Sequence, residues 1–176
     1  MKVLAITADI FPEKLGGAER HFVEIAKRLI SKLEKLAVLV GNGGSIKKIL
    51  PDAEIITVSY PRVPNFFGLF YILWATPKAI ALTRGDKYDL IWAKQEYPQA
   101  QVGALVKLIT KIPLYITSQN PLLGEEEFIG FGGKLATFLV SLAFRQADIV
   151  AAVSAFSAHA AKKLGAKKVF IIPNGV

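Results

Sequence analysis

The sequence predicts a doubly wound α/β domain: a mainly parallel, Rossmann-like sheet flanked by helices on both faces. Three observations carry this. Short apolar runs alternate with helical patterns along all 176 residues. The runs are apolar at successive positions, as parallel strands covered by helices should be. The first run also passes into an amphipathic helix through a Gly16-Gly17 pair. Alternation of this kind implies right-handed crossovers and a sheet whose ligands bind beyond the carboxyl ends of its strands.

The elements follow in order. Met1 to Ala8 reads as the first strand, built on Val3, Leu4, Ala5 and Ile6. Ala18 to Lys32 reads as a helix. Phe22, Ile25, Ala26, Leu29 and Leu33 recur at three- and four-residue steps and so share one face. Leu36 to Val40 is a second strand, closed by Gly41-Asn42-Gly43-Gly44, and Glu54 to Val58 a third. A helix from Phe66 to Arg84 precedes a fourth strand, Leu90 to Ala93. Pro98 to Lys111 reads as a helix, Leu114 to Thr117 as a fifth strand and Gly132 to Gln146 as a helix. Asp148 to Val153 is a sixth strand, Ser154 to Leu164 a last helix with Ser154 as its N-cap, and Val169 to Ile172 a seventh strand. No repeat, low-complexity segment or linker divides the chain, so one domain over 1–176 is expected.

Composition narrows the function. The chain has no cysteine and only two histidines, His21 and His159. Cysteine nucleophiles and cysteine metal sites are excluded, and a histidine metal site is disfavoured. No cofactor or metal is expected. The net charge is +8 and the isoelectric point about 9.7, which favours anionic partners. The lysines are dispersed, with no arginine-rich stretch between aromatics, so nucleic acid is not expected. No secretory signal is visible, and a cytoplasmic location is the expectation.

Gly16 and Gly17 are the first candidate site. They stand where the first helix begins. There the leading amide N–H groups lack carbonyl partners and the helix dipole is positive. Glycine leaves that backbone open to a phosphate. A tight turn alone would explain the same residues. The Lys94-Gln95-Glu96 segment, the Gln119-Asn120 segment and Ser154 also follow strands, and the sequence puts them on the same rim. The stretch from Phe66 to Ala75 is unusually aromatic but too short to span a bilayer. It reads either as a helix packed on the sheet or as one that dips into a membrane surface.

The segment from Asp9 to Leu29 resembles the opening of family-4 glycosyltransferases, which have the GT-B fold. Tyr88-Asp89-Leu90-Ile91-Trp92-Ala93 and Ile112-Pro113-Leu114-Tyr115-Ile116-Thr117 are similar to later strands of that family. So are Ala147 to Ser154 and the closing Ile172-Pro173-Asn174-Gly175-Val176. The resemblance implies the N-terminal, acceptor-side half of a two-domain retaining enzyme. Such an enzyme passes a sugar from a nucleotide-diphosphate sugar to a hydroxyl of a sugar, sugar phosphate or lipid-linked glycan. It implies that Gly16 and Gly17 face the donor phosphate, while a second domain holds most of the nucleotide. The half alone is expected to be inactive. A peripheral contact with the inner face of the membrane fits the aromatic helix and the basic charge.

The resemblance also exposes departures. Relatives often carry histidine after the fifth strand, where this chain has Gln119, and after the fourth, where it has Lys94. Glutamine donates a hydrogen bond but takes no proton. Lys94 is expected to bind phosphate or pair with Glu96. Glu19, Lys94, Gln119 and Asn120 are the acceptor-side candidates, with helix capping a simpler role for Glu19. His21 and His159 are expected to be solvated, and Glu125-Glu126-Glu127 to form a charged loop. No catalytic base can be named. The competing reading is a stand-alone phosphate- or nucleotide-binding module, although neither a Gly-x-Gly-x-x-Gly fingerprint nor a Walker A sequence occurs.

Overall fold

A computed structural model describes residues 1–8, 10, 16–41, 46–119 and 131–174. Strand β1 spans Lys2–Ile6 and leads to helix α1, Gly17–Ile30. β2, Lys35–Val40, and β3, Glu54–Thr57, are joined through a short 3-10 turn, Ile46–Lys48. Helix α2, Phe67–Gly85, returns to β4, Leu90–Ala93. Then come α3, Gln99–Thr110, β5, Leu114–Ser118, α4, Phe131–Gln146, β6, Ile149–Ala152, α5, Ala155–Lys163, and β7, Val169–Ile171. The expected strands and long helices are all present. Ser154 caps α5 as expected, its Oγ accepting from the Ser157 amide at 3.1 Å.

The strand order is β3-β2-β1-β4-β5-β6-β7, and every neighbouring pair is parallel. The sheet is therefore parallel throughout, not merely in the main. The order reverses direction between β1 and β4, which opens a crevice at their carboxyl ends. Ile6 pairs with both Leu39 and Ala93, Ala93 with Ile116, and Ser118 with Ala152. The carboxyl ends of the central strands thus finish along one edge.

Alternate residues of β1 feed two separate cores. Val3 and Ala5 pack with Phe22, Val23 and Ala26 of α1. Leu4 and Ile6 pack with Tyr71 and Ala75 of α2 and with residues of α3, α4 and α5. Helices do flank both faces, but unequally: α1 and the 3-10 turn on one, four helices on the other. Burial on both sides holds for β1, β2, β4, β5 and β6. It fails for β3 and β7, which are edge strands with large exposed positions, including Phe170 and Ile171.

The amino ends of β1, β2 and β3 carry an ion cluster remote from the crevice. Lys2 and Lys35 each reach Asp86 at 2.9 Å, and Lys35 also meets Glu54 at 2.6 Å. The hydrogen bonds from Lys35 and Lys2 hold the Asp86 carboxyl down at about 2, against 3.8 for an ordinary aspartate. A depressed carboxylate stabilises the fold fully above its unfolded value, and that contribution is lost as pH falls through the folded value. Acid titration of stability is expected to show a loss between about pH 4 and pH 2. Asp86→Asn should flatten that limb; an unchanged acid limb would show that the cluster is not coupled to folding.

Candidate functional site

The crevice at the reversal point brings together α1's first turn and the segment leaving β4. Gly16 is the N-cap of α1, and its own side offers no side-chain cap. Glu19, at the third helical position, folds its carboxylate back over this helix start, where the nearby Gly16 and Glu19 backbone amides favour its charged form. A Cβ on residue 16 would lie 2.6 Å from Glu19 Oε2, so glycine is what lets the carboxylate fold over the helix start. Gly17 differs. It is exposed, and a Cβ there would meet nothing within 4 Å. Among the described residues, no acceptor meets the Gly17 and Ala18 N–H groups.

Lys94 completes the arrangement. Its side chain is only 3% exposed, and its Nζ meets Glu19 Oε1 at 2.5 Å. The Lys94 amide donates to the Ile6 carbonyl, which fixes the first residue after β4 against the end of β1. Burial pushes the Lys94 ammonium below the ordinary lysine range, and the Glu19 charge offsets only part of this. Burial pushes Glu19 the other way, but the hydrogen bond and charge of Lys94 and the two backbone amides outweigh it. The carboxyl therefore lies below its usual range. One anion here faces a buried cation and the positive end of a helix, so the local field still favours negative charge.

The floor of the crevice is polar, buried and bonded. Tyr71 of α2 donates to the Thr7 carbonyl at 2.7 Å. Gln99, at the start of α3, places its side-chain amide between the Ala8 amide and the Tyr97 carbonyl; with the amide turned so that its oxygen faces Ala8, it accepts there at 3.1 Å and donates to Tyr97 at 2.8 Å. Ser118 at the end of β5 donates to Glu96 Oε1 at 2.7 Å. Lys94 thus pairs with Glu19, not with Glu96, whose carboxylate instead accepts from Ser118 on β5. Gly68 lets the Tyr97 ring lie against the first turn of α2, since a Cβ there would run into the ring.

A second cluster forms beside the first. Asn174, beyond β7, donates to Gln119 Oε1 at 3.0 Å. Gln119 Nε2 lies 2.9 Å from His21 Nδ1 and donates to it. Burial lowers the His21 pKa, which favours the neutral ring that can accept at Nδ1 and carries its hydrogen on Nε2. His21 is thus half-buried and bonded, not solvated as the sequence suggested. The signal for it was present in the spacing. His21, Ile25 and Leu29 form one stripe of α1, Leu33 follows just past its end, and all four line an apolar cavity of about 200 Å³. Trp92 and Tyr115 supply its sheet side. Trp92 is held there by its bond to Thr117 Oγ1 at 2.9 Å and by the Phe22 ring 4.9 Å away.

The structure therefore gathers Gly16, Gly17, Glu19, Lys94 and Gln119 along one rim. Asn120 and Glu125-Glu126-Glu127 lie outside the described residues. His159 is exposed on α5 and takes no part. Among the described residues, no group of three or more His, Cys, Asp or Glu side chains could hold a metal ion.

The sequence and the fold both have known counterparts. The family model described as Glycosyltransferase Family 4 matches residues 15–176. The chain belongs to glycosyltransferase family 4. The family's fold is also seen in solved structures. Alr3699/HepE of Anabaena, crystallised with UDP and glucose, is 25% identical with a TM-score of 0.73, over 100% of this chain and 45% of that one. MurG of Acinetobacter baumannii is 19% identical with a TM-score of 0.61, over 100% of this chain and 46% of that one. A UDP-GlcNAc 2-epimerase of Neisseria meningitidis, bound to UDP-GlcNAc, is 15% identical with a TM-score of 0.64, over 99% of this chain and 47% of that one. At 19% and 15%, the last two speak for the fold alone. This family-4 chain spans about half the length of the solved structures it matches. No curated protein matches its sequence significantly.

Proposed function

We propose that this domain is the acceptor-side half of a retaining glycosyltransferase that moves a sugar from a nucleotide-diphosphate sugar to an acceptor hydroxyl. The observation that carries the reading is the open helix end at Gly17 beside the buried Lys94, in the crevice where the strand order reverses. In the reaction the bond between sugar C1 and the diphosphate oxygen breaks, the acceptor oxygen bonds to C1, and the acceptor's hydroxyl proton passes to the departing diphosphate oxygen. The diphosphate leaves with the electron pair and gathers charge. Fixed N–H donors aimed at that charge lower the barrier. The Gly17 and Ala18 amides and the dipole of α1 are positioned for that task. Lys94 is a cation already held in place, with Glu19 as its anion until a phosphate shares it.

A uridine diphosphate sugar is the donor we favour, because the 25%-identical HepE was solved with UDP and glucose. The acceptor side is the rim of Gln119, His21 and Asn174, whose hydrogen bonds could be exchanged for sugar hydroxyls. A sugar, a sugar phosphate or a lipid-linked glycan would each fit that chemistry.

The test is to supply the full-length protein with a panel of UDP-sugars and acceptors and follow the anomeric signal by NMR. Transfer or slow donor hydrolysis, with the donor's anomeric configuration kept, is expected. An inverted product would remove the retaining mechanism. Nucleotide binding with no consumption of any donor would favour the stand-alone binding module instead.

A further inference from the structure

We propose that the outer face of α2, α3 and α4 docks onto an anionic lipid bilayer. Helix α3 packs between α2 and α4, so the three form one continuous layer. Their sheet-facing sides are buried: Tyr71 and Ala75 on α2, Val102 and Val106 on α3, Val140 and Phe144 on α4. Their outward sides are apolar as well. Leu73 is 64% exposed, Ile109 54% and Phe138 59%, with Trp74, Leu108 and Leu142 beside them on the same three helices. On α3 and α4 the exposed positions recur at three- and four-residue steps, so each helix shows one apolar stripe to solvent.

Scattered surface leucines are ordinary, but apolar stripes on two adjacent helices, flanked by an exposed Leu73-Trp74 pair on a third, are not.

Charge decides what covers this face. Helices α2, α3 and α4 contain no aspartate or glutamate at all. They do carry Lys78, Arg84, Lys134 and Arg145, all exposed. Lys107 is also there, but Asp148 already holds it. Helix α1 is the internal contrast. It mixes Glu24 with Lys27 and Arg28 in surface ion pairs, the usual pattern of a solvated helix. An apolar surface whose exposed charges are all positive complements negatively charged headgroups above an acyl layer. A second copy of this chain would bring the same cations against themselves. No helix among the described residues is long and apolar enough to cross a membrane, so the layer lies on the surface.

The inference does not depend on the donor site, and its test leaves that site untouched. The full-length protein is sedimented with vesicles of phosphatidylglycerol and phosphatidylcholine, and with phosphatidylcholine alone, at low and high salt. Binding is expected on the anionic vesicles, weakened by salt. Phe138→Glu with Ile109→Glu should reduce partitioning at least about tenfold, and Lys134→Glu alone about fivefold. These positions are exposed, so an unchanged melting curve should accompany the loss. Should the double variant misfold, quenching of the wild-type protein by brominated lipid gives a second reading. Trp74 lies on the face and Trp92 is buried in the opposite core, so only part of the fluorescence should be quenched. Three results would overturn the proposal. They are no sedimentation at low salt, binding equal on both vesicles, or binding unmoved by the variants. Dimers that Phe138→Glu dissolves without lipid would assign the face to a second copy and equally overturn it.

Discussion

Replacing Glu19 by glutamine should cost the fold about 3 kcal/mol at neutral pH, more than most surface substitutions could. The variant keeps the size of the side chain but strands the Lys94 ammonium, which is almost wholly enclosed. A buried charge that loses its partner is penalised by desolvation with nothing to offset it. The pH dependence gives the mechanism away. Burial already holds Lys94 below 10.5, and Glu19 is the group that raises it. Without Glu19 the folded pKa falls further. The unfolded chain then binds the proton more tightly, so the variant's stability should rise as pH climbs toward 10.5. Combining Glu19→Gln with Lys94→Met should return most of the loss, to within about 1 kcal/mol of the native protein. Denaturant titrations of the single and double variants across pH measure this. A small, pH-independent loss in Glu19→Gln would mean that the pair is solvated.

Tyr71→Ala should cost about 4 kcal/mol, and Tyr71→Phe only about 1–2 kcal/mol. The tyrosine is completely enclosed in the core between α2 and the sheet, and its ring meets Tyr60 edge-on at 5.3 Å. Truncation removes that packing and leaves a cavity. Phenylalanine keeps the packing and removes only the hydroxyl, leaving the Thr7 carbonyl without its 2.7 Å bond. The two values separate the apolar contribution from the polar one. The polar bond has a positional consequence, because Thr7 follows β1 and leads toward the crevice. Equal losses in the two variants would show that the hydroxyl, not the ring, holds α2 to the sheet.

The fold was legible because strand and helix patterns are local. Val3 to Ile6, Leu36 to Val40 and the α1 stripe specify their elements without reference to distant residues. What the pattern could not convey is which faces end up covered. Edge position, not composition, exposes Glu54 and Phe170, and edge position follows from strand order. The site was legible as a rim, since every candidate followed a strand. Its pairing was not. Lys94 and Glu19 are 75 residues apart, and nothing local prefers Glu19 over the adjacent Glu96. The same holds for His21 and Gln119, 98 residues apart. The two glycines looked equivalent in sequence. Only the backward turn of Glu19 separates Gly16, which makes room for that carboxylate, from Gly17, which stays open among the described residues.

That separation supplies the most direct test of the account. Gly17→Val puts a branched side chain beside these amides; its Cβ would lie more than 4 Å from every described atom beyond the local helix backbone, and it needs no unusual backbone angle. Measured in the full-length protein, sugar transfer should fall about 100-fold, the scale of losing one fixed donor to a developing anion. The melting temperature should stay essentially unchanged. Transfer at the native rate in a correctly folded Gly17→Val protein would contradict the account, because the donor phosphate would then not lie at this helix end.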